Sequence, residues 1–178
     1  YSQKIKNSDQ ANNLIKNKDT KNPVTVADLE VNDLILKRMQ EKYQNVGWKY
    51  LSEENAKINQ NSCETDSEWL WILDPLDGTK DFIQGTGDYA MHFALNHEKR
   101  PLIGVVLIPD KDELWISNGE KLWSERRDNS TQSLDLNLEK DISEMTVVTS
   151  KNHNNPTLKS LIDVIQFPKR IEMGSIGC

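Results

Sequence analysis

The sequence has little of what would tie it to a secreted, membrane-embedded or nucleic-acid-binding class. It holds two cysteines in 178 residues, Cys63 and Cys178, far apart and without a pairing pattern. That argues against a disulfide framework and makes a reducing compartment the default. No apolar run approaches the ~20 residues that a bilayer-spanning helix needs. The mean hydropathy is −0.70 and no secretory h-region opens the sequence, so a cytoplasmic location without membrane contact is the expectation. Positive charge is short: 22 Lys and Arg stand against 28 Asp and Glu, a net charge of −6, with a pI near 5.1. The basic footprint that displaces counterions from a nucleic-acid polymer is therefore missing, and a phosphate group would have to be met through metal. Histidine is scarce too, and His92, His97 and His153 lack zinc-ligand spacing.

What is present suits one ordinary domain, or one domain and part of another. The sequence opens at Tyr1 and stops at Cys178, just after Gly174-Ser175-Ile176-Gly177, and is expected to be a fragment. Asn is frequent throughout and is given no functional weight at isolated positions. Ser2 to Lys16 reads as a weak helix. From Thr25 the residues Ala27, Val31, Leu34, Ile35 and Met39 recur at helical spacing to about Tyr43. A short strand carrying Trp48, Tyr50 and Leu51 follows, then a loop-like stretch from Glu53 to Ser67. Trp69-Leu70-Trp71-Ile72-Leu73 is a continuous apolar run of strand length. Tyr89–Asn96, Leu102–Ile108, Glu113–Ser117 and Lys121–Ser124 read as an antiparallel meander, with Asn118-Gly119 as a hairpin signal. Arg126 to Ser133 reads as a surface loop. Thr146–Thr149, Pro156–Phe167 and Lys169–Met173 then resemble a β-α-β unit cut short. The five Trp residues, 48, 69, 71, 115 and 123, are read as core or sheet-surface aromatics, since base-stacking platforms accompany basic grooves. The predicted class is α+β, a meander first and alternation later.

Acids stand at two strand ends. Asp74-Pro75-Leu76-Asp77-Gly78-Thr79 follows the apolar run. It reads either as an ordinary β-turn or as two carboxylates and the Leu76 carbonyl converging on one hard cation. Glu53-Glu54 follows the earlier strand, either as solvated surface or as further ligands. If the two strands are neighbours, Glu53, Glu54, Asp74 and Asp77 meet at one sheet edge. Asp28 fits a capping box with Thr25 as N-cap, or a hydrogen bond at the same edge. Thr79 is the N-cap of a short helix or a residue whose neighbouring amides hold a phosphate oxygen. Lys80 either meets a substrate phosphate or forms a solvated surface pair with Asp81.

Leu51-Ser52-Glu53-Glu54, Trp71-Ile72-Leu73-Asp74-Pro75-Leu76-Asp77-Gly78-Thr79-Lys80-Asp81-Phe82 and the preceding Pro23-Val24-Thr25-Val26-Ala27-Asp28 resemble the inositol monophosphatase superfamily of lithium-sensitive, magnesium-dependent phosphomonoesterases. The Lys-acid-Phe after Asp-Gly-Thr is similar to its CysQ-type 3'(2'),5'-bisphosphate nucleotidase branch, which removes the 3'-phosphate from adenosine 3',5'-bisphosphate. The resemblance implies a layered α/β sandwich of the sugar phosphatase type. In it, 1–142 form an N-terminal antiparallel-sheet metal-binding catalytic domain and 143–178 the incomplete start of a C-terminal α/β domain. It implies that Glu53, Asp74 and the carbonyl of Leu76 hold one Mg²⁺, that Asp74 with Asp77 holds a second, and that Glu54 lies close by as an indirect or third-metal ligand. Asp28 and Thr79 would orient the attacking water, Gly78 and Thr79 amides would cradle the phosphate, and Ser175 belongs to the segment that opens the substrate wall. The family's later Trp-Asp motif does not occur before Cys178.

Charge supports the cation requirement. Glu53, Glu54, Asp74, Asp77 and Asp28 sum to −5 if all ionise, so an anionic phosphate would be expelled unless two or three divalent ions offset them. The expected partners are a small phosphorylated substrate and at most a second copy in a homodimer. The competing expectations are an inositol or other sugar phosphatase, a non-catalytic cation-binding module, and an inactive truncated piece.

Overall fold

The computed structural model describes residues 15–17, 24–58, 67–134, 141–151 and 156–175. Cys63, Cys178 and His153 lie outside them. Strands β1 (Ile15–Asn17) and β2 (Val24–Thr25) pair antiparallel. Ile15 and Lys16, expected in a weak helix, are thus strand residues, and the remainder of that expected helix lies outside the described residues. Helix α1 (Val26–Lys42) starts at a complete capping box, with Thr25 accepting from the Ala27 amide and Asp28 from the Thr25 amide. Its buried stripe is Ala27, Asp28, Asn32 and Leu36, while Leu34 is exposed. Three of those four are one turn apart, i, i+4 and i+8, and two of the three are polar.

A seven-stranded sheet follows in the order β3 (Lys49–Ser52), β4 (Trp69–Asp77), β5 (Ala90–His97), β6 (Arg100–Ile108), β7 (Glu113–Ser117), β8 (Leu122–Glu125) and β9 (Thr131–Leu134). From β4 onward every neighbour is antiparallel, the expected meander. β3 differs by pairing parallel to β4, with Ser52 beside Leu73. Glu98 and Lys99, both at positive φ, make a two-residue hairpin whose twist matches the flanking strands. The Asn118 carboxamide oxygen accepts from the amides of Glu120 and Lys121 at 3.2 and 2.9 Å, closing the hairpin read from Asn-Gly. Two expected loops carry structure instead. Glu53–Ile58 form helix α2, its first turn acidic as a helix N-terminus favours. Thr131–Leu134 pair with β8 as the exposed outer strand of the sheet.

β4 runs on through Pro75 to Asp77, where the sequence suggested a turn. A proline interrupts a strand only where its missing N–H is not needed, and the register with β5 shifts there: Asp74 faces His92, and Asp77 faces Ala90. Three steps on β4 answer two on β5, the signature of a bulge. Helix α3 (Thr79–Gln84) follows, with Gly78 as its N-cap, so Thr79 is its first residue rather than its cap. Gly78 has φ +84°, and a Cβ there would sit 2.6 Å from the Asp88 carbonyl oxygen, so only glycine fits.

The core packs α1 and α3 against the sheet. Ala27, Leu76, Phe82 and Tyr89 form one buried cluster, with Phe82 edge-on to Tyr89 at 5.1 Å. Trp71 stacks on Phe93 at 4.5 Å and takes Trp48 on its edge, the core role expected of these aromatics. β10 (Thr146–Ser150) and β11 (Lys169–Met173) are parallel neighbours in a separate two-stranded sheet, joined by helix α4 (Pro156–Ile165). This is the β-α-β unit read from the sequence, and the fold is α+β in layers. No helix among the described residues is long and apolar enough to cross a membrane.

Candidate active site at the ends of two parallel strands

The acids meet because of direction and parity. β3 and β4 run the same way in register, so the residues after Ser52 and Leu73, namely Glu53 and Asp74, emerge side by side. In a regular strand residues three apart point to opposite faces. The bulge restores the parity, and Asp74 and Asp77 share the face on which His92 and Ala90, two apart on β5, also stand. Meanwhile Pro75 and Leu76 turn inward and are both buried. Asp74 takes the Leu76 amide on Oδ1 at 3.1 Å.

The electrostatics follow from this crowding. Burial pushes the Asp74 carboxyl up to about 7, and repulsion from Glu53, a proton shared with Glu53 and repulsion from Asp77 add to the shift, against the Leu76 amide that lowers it. Among the described residues no three Asp, Glu, His or Cys side chains form a ready-made cage. The set is instead Asp74 with Glu53 and Asp77 close beside it. Such a set of hard oxygens under mutual repulsion fits a divalent cation of the Mg²⁺ kind, which takes one or two carboxylates and keeps several waters. A raised carboxyl pKa means that the folded state binds this proton more tightly than the unfolded chain, so stability is lost as pH rises from about 4 through about 7. Without divalent ions the melting temperature is therefore expected to be lower at pH 8 than at pH 5. Millimolar Mg²⁺ should raise the pH 8 value by about 5 °C or more and shrink the difference. Calorimetric melts at both pH values, with chelator and with Mg²⁺, check this.

A second set lies beside the first. Asp28 is 2% exposed. Its Oδ2 accepts from the Thr25 amide at 2.7 Å and hydroxyl at 2.6 Å, and its Oδ1 accepts from Thr79 Oγ1 at 3.3 Å. Thr79 Oγ1 also reaches the Leu76 carbonyl at 3.0 Å. Capping and the link to the acidic edge thus coexist in one carboxylate, whose pKa burial raises despite these donors. The Glu53-Glu54 pair splits: Glu53 is exposed, whereas Glu54 is 4% exposed, with its amide on Ser52 Oγ at 3.2 Å. Ser175 is fully buried and its Oγ donates to Asp77 Oδ2 at 2.5 Å.

Three features escaped the sequence reading. Asn32 accepts from Ser52 Oγ. A polar residue four after Asp28 on the buried stripe was the signal, hidden by the general excess of Asn. His92 Nε2 stands 3.8 Å from Asp77 Oδ2, a proximity that only the bulge register creates. Asp81, for which a solvated pair with Lys80 is one of two sequence readings, is 1% exposed and paired with Lys151.

Known proteins resemble this chain in sequence and in fold. The profile described as "Inositol monophosphatase family" matches residues 2–177. The chain is 28% identical over 153 residues to the 3'(2'),5'-bisphosphate nucleotidase CysQ of Buchnera aphidicola subsp. Acyrthosiphon pisum, covering 86% of this chain and 55% of that protein. It is 28% identical over 155 residues to the CysQ of Escherichia coli K12, covering 86% and 59%. The chain thus spans a little over half the length of these relatives. Among solved structures, inositol monophosphatase II from Staphylococcus aureus superposes with a TM-score of 0.69 at 22% identity, over 94% of this chain and 60% of that one. With that profile running over nearly its whole length, the chain belongs to the inositol monophosphatase family.

Proposed function

We propose that the full-length protein is a Mg²⁺-dependent phosphomonoesterase that removes the 3'-phosphate from adenosine 3',5'-bisphosphate. The observation that carries the reading is the convergence of Glu53, Asp74 and Asp77 at one sheet edge beside the Asp28–Thr79 hydrogen bond. Family membership and the names of the CysQ relatives support the substrate class, as does the Lys80-Asp81-Phe82 sequence after Gly78-Thr79. The division into a sheet domain over 1–142 and the start of a second domain over 143–178 belongs to the same reading, supported by the separate β10–β11 sheet.

Glu53, Asp74, the carbonyl of Leu76 and Asp77 would hold two or three Mg²⁺ ions, with Glu54 in support. When bound, the ions supply Lewis acidity and offset the charge of the phosphate. The protein's own part is proton handling. Thr79 Oγ1 donates to Asp28 Oδ1, which leaves a lone pair on Oγ1 itself to accept from a water and aim it at phosphorus. As the water attacks in line and the bond from phosphorus to the ester oxygen breaks, the water proton passes to Thr79 Oγ1 while the threonine proton passes to Asp28 Oδ1, and the departing alkoxide takes its proton from solvent water. Asp28 Oδ2 stays fixed by its two bonds from Thr25, so the acceptor does not rotate away. Gly78 and Thr79 supply the backbone against which the phosphate rests.

Phosphate release by the full-length protein in Mg²⁺, measured with adenosine 3',5'-bisphosphate and with inositol 1-phosphate, tests the reading. We expect kcat/KM for the nucleotide to exceed that for the inositol ester by at least about a hundredfold, as a site built to hydrogen-bond one alcohol discriminates strongly. The opposite preference would point to a sugar phosphatase of the same fold. Mg²⁺ uptake without release from either would mark a cation-binding module.

A further inference from the structure

Asp81 follows Thr79 within the first turn of α3 and is 1% exposed. A carboxylate at that depth is tolerated only with a partner, and the partner comes from the other sheet. Lys151, the residue after β10, sets its Nζ against Asp81 Oδ1 and lies 2.8 Å from Asp88 Oδ2. Thr86 Oγ1 donates to the same Asp81 oxygen at 2.8 Å. The Lys151 amide in turn donates to the Met173 carbonyl, 3.0 Å away at the end of β11. Gly174, next in line, has no room for a side chain: a Cβ there would run into the Asp81 carboxylate and lie 2.8 Å from the Asp88 carbonyl oxygen. That carbonyl is the one that also excludes a Cβ at Gly78, so the two glycines flank the backbone of Asp88. Ser175 comes after Gly174 and donates to Asp77. Contacts therefore run unbroken from Lys151 through Met173 and Gly174 to Ser175, and end on an acid of the candidate site.

We propose that Lys151 is a positioning residue: by clamping Asp81 and Asp88 it seats the Gly174-Ser175 turn so that Ser175 holds the Asp77 carboxylate in the orientation that receives a divalent cation. The inference rests on the reading of Asp77 as a cation ligand given above. It differs from a simple tie between two sheets because the far end of the contact chain is a donor on a ligand atom. Groups of that kind set metal affinity without touching the metal.

In the full-length protein, Lys151→Met is expected to weaken Mg²⁺ binding about 10- to 100-fold in isothermal titration with MgCl₂. The rate of phosphate release should recover to within about threefold of wild type once Mg²⁺ is saturating. Ser175→Ala should give a loss of similar size, and adding Lys151→Met to it should cost less than about threefold more, because both act on one contact. Lys151→Met alone leaves the Asp81 charge buried and uncompensated. The pair Asp81→Asn with Lys151→Met, which removes both charges, is therefore measured alongside and should show the same Mg²⁺ loss while melting close to wild type. Unchanged Mg²⁺ affinity in either folded variant, or full additivity with Ser175→Ala, overturns the proposal. Failure of the unaltered protein to take up Mg²⁺ overturns the parent reading instead, and the inference with it.

Discussion

Replacing Asp74 with Asn is expected to abolish turnover in the full-length protein and to weaken Mg²⁺ binding, while the ion-free protein becomes no less stable. The two effects have opposite signs for one reason. Asp74 sits between Glu53 and Asp77 and is pushed up to about 7 by burial and by their repulsion, so removing its charge relieves the ion-free edge. On the function proposed above, the same removal would deprive a bound cation of one of its carboxylates. Losing several kcal/mol of charge stabilisation in the transition state corresponds to about a thousandfold or more in kcat. Steady-state phosphate release, Mg²⁺ titration calorimetry and melting in chelator together check the result. Retained activity, or a collapse of the ion-free melting temperature, would contradict the role assigned to this residue.

Thr79→Val is expected to act on the chemistry and not on the metal. The substitution keeps the shape and the backbone amide of the first residue of α3. It deletes the hydroxyl that reaches Asp28 Oδ1 at 3.3 Å and the Leu76 carbonyl at 3.0 Å. Losing a positioned proton carrier costs about 10²- to 10⁴-fold in rate, whereas the lost hydrogen bonds cost only about 1 kcal/mol of stability. Mg²⁺ affinity and the Mg²⁺-induced rise in melting temperature should persist. A variant that hydrolyses substrate at the unaltered rate would remove Thr79 from the proton path. One that also loses Mg²⁺ would reassign it to holding the Leu76 carbonyl in place.

The elements that positioned the acids were legible where one local rule decided them. The apolar run before Asp74 had to be a buried strand, and Thr25 with Asp28 could cap α1 whichever neighbours they met. The Asn118-Gly119 hairpin was legible for the same reason. What was hidden depends on pairing across the sheet. Asp74-Pro75-Leu76-Asp77-Gly78 has turn composition, and only the register with β5 reveals that a bulge keeps it in the strand and turns both aspartates to one face. Glu53–Ile58 looked like loop because its six residues are too few to show a helical period. Asp81 looked solvated because its counter-ion, Lys151, arrives from a separate sheet, and no rule of sequence proximity connects them.

Among the described residues β3, four residues long, pairs along only one side, as the first strand of its sheet, whereas β4 is held on both. Strands of the first kind open at lower free energy than interior ones. The edge that gathers the acids is consequently built from one side held between two strands, which carries Asp74 and Asp77, and one held by a single strand and by the Ser52–Asn32 hydrogen bond, which leads to Glu53. Parting Lys49–Ser52 from β4 would therefore cost the Ser52–Asn32 bond as well as the strand pairing, and would shift Glu53 while Asp74 and Asp77 kept their pairing with β5.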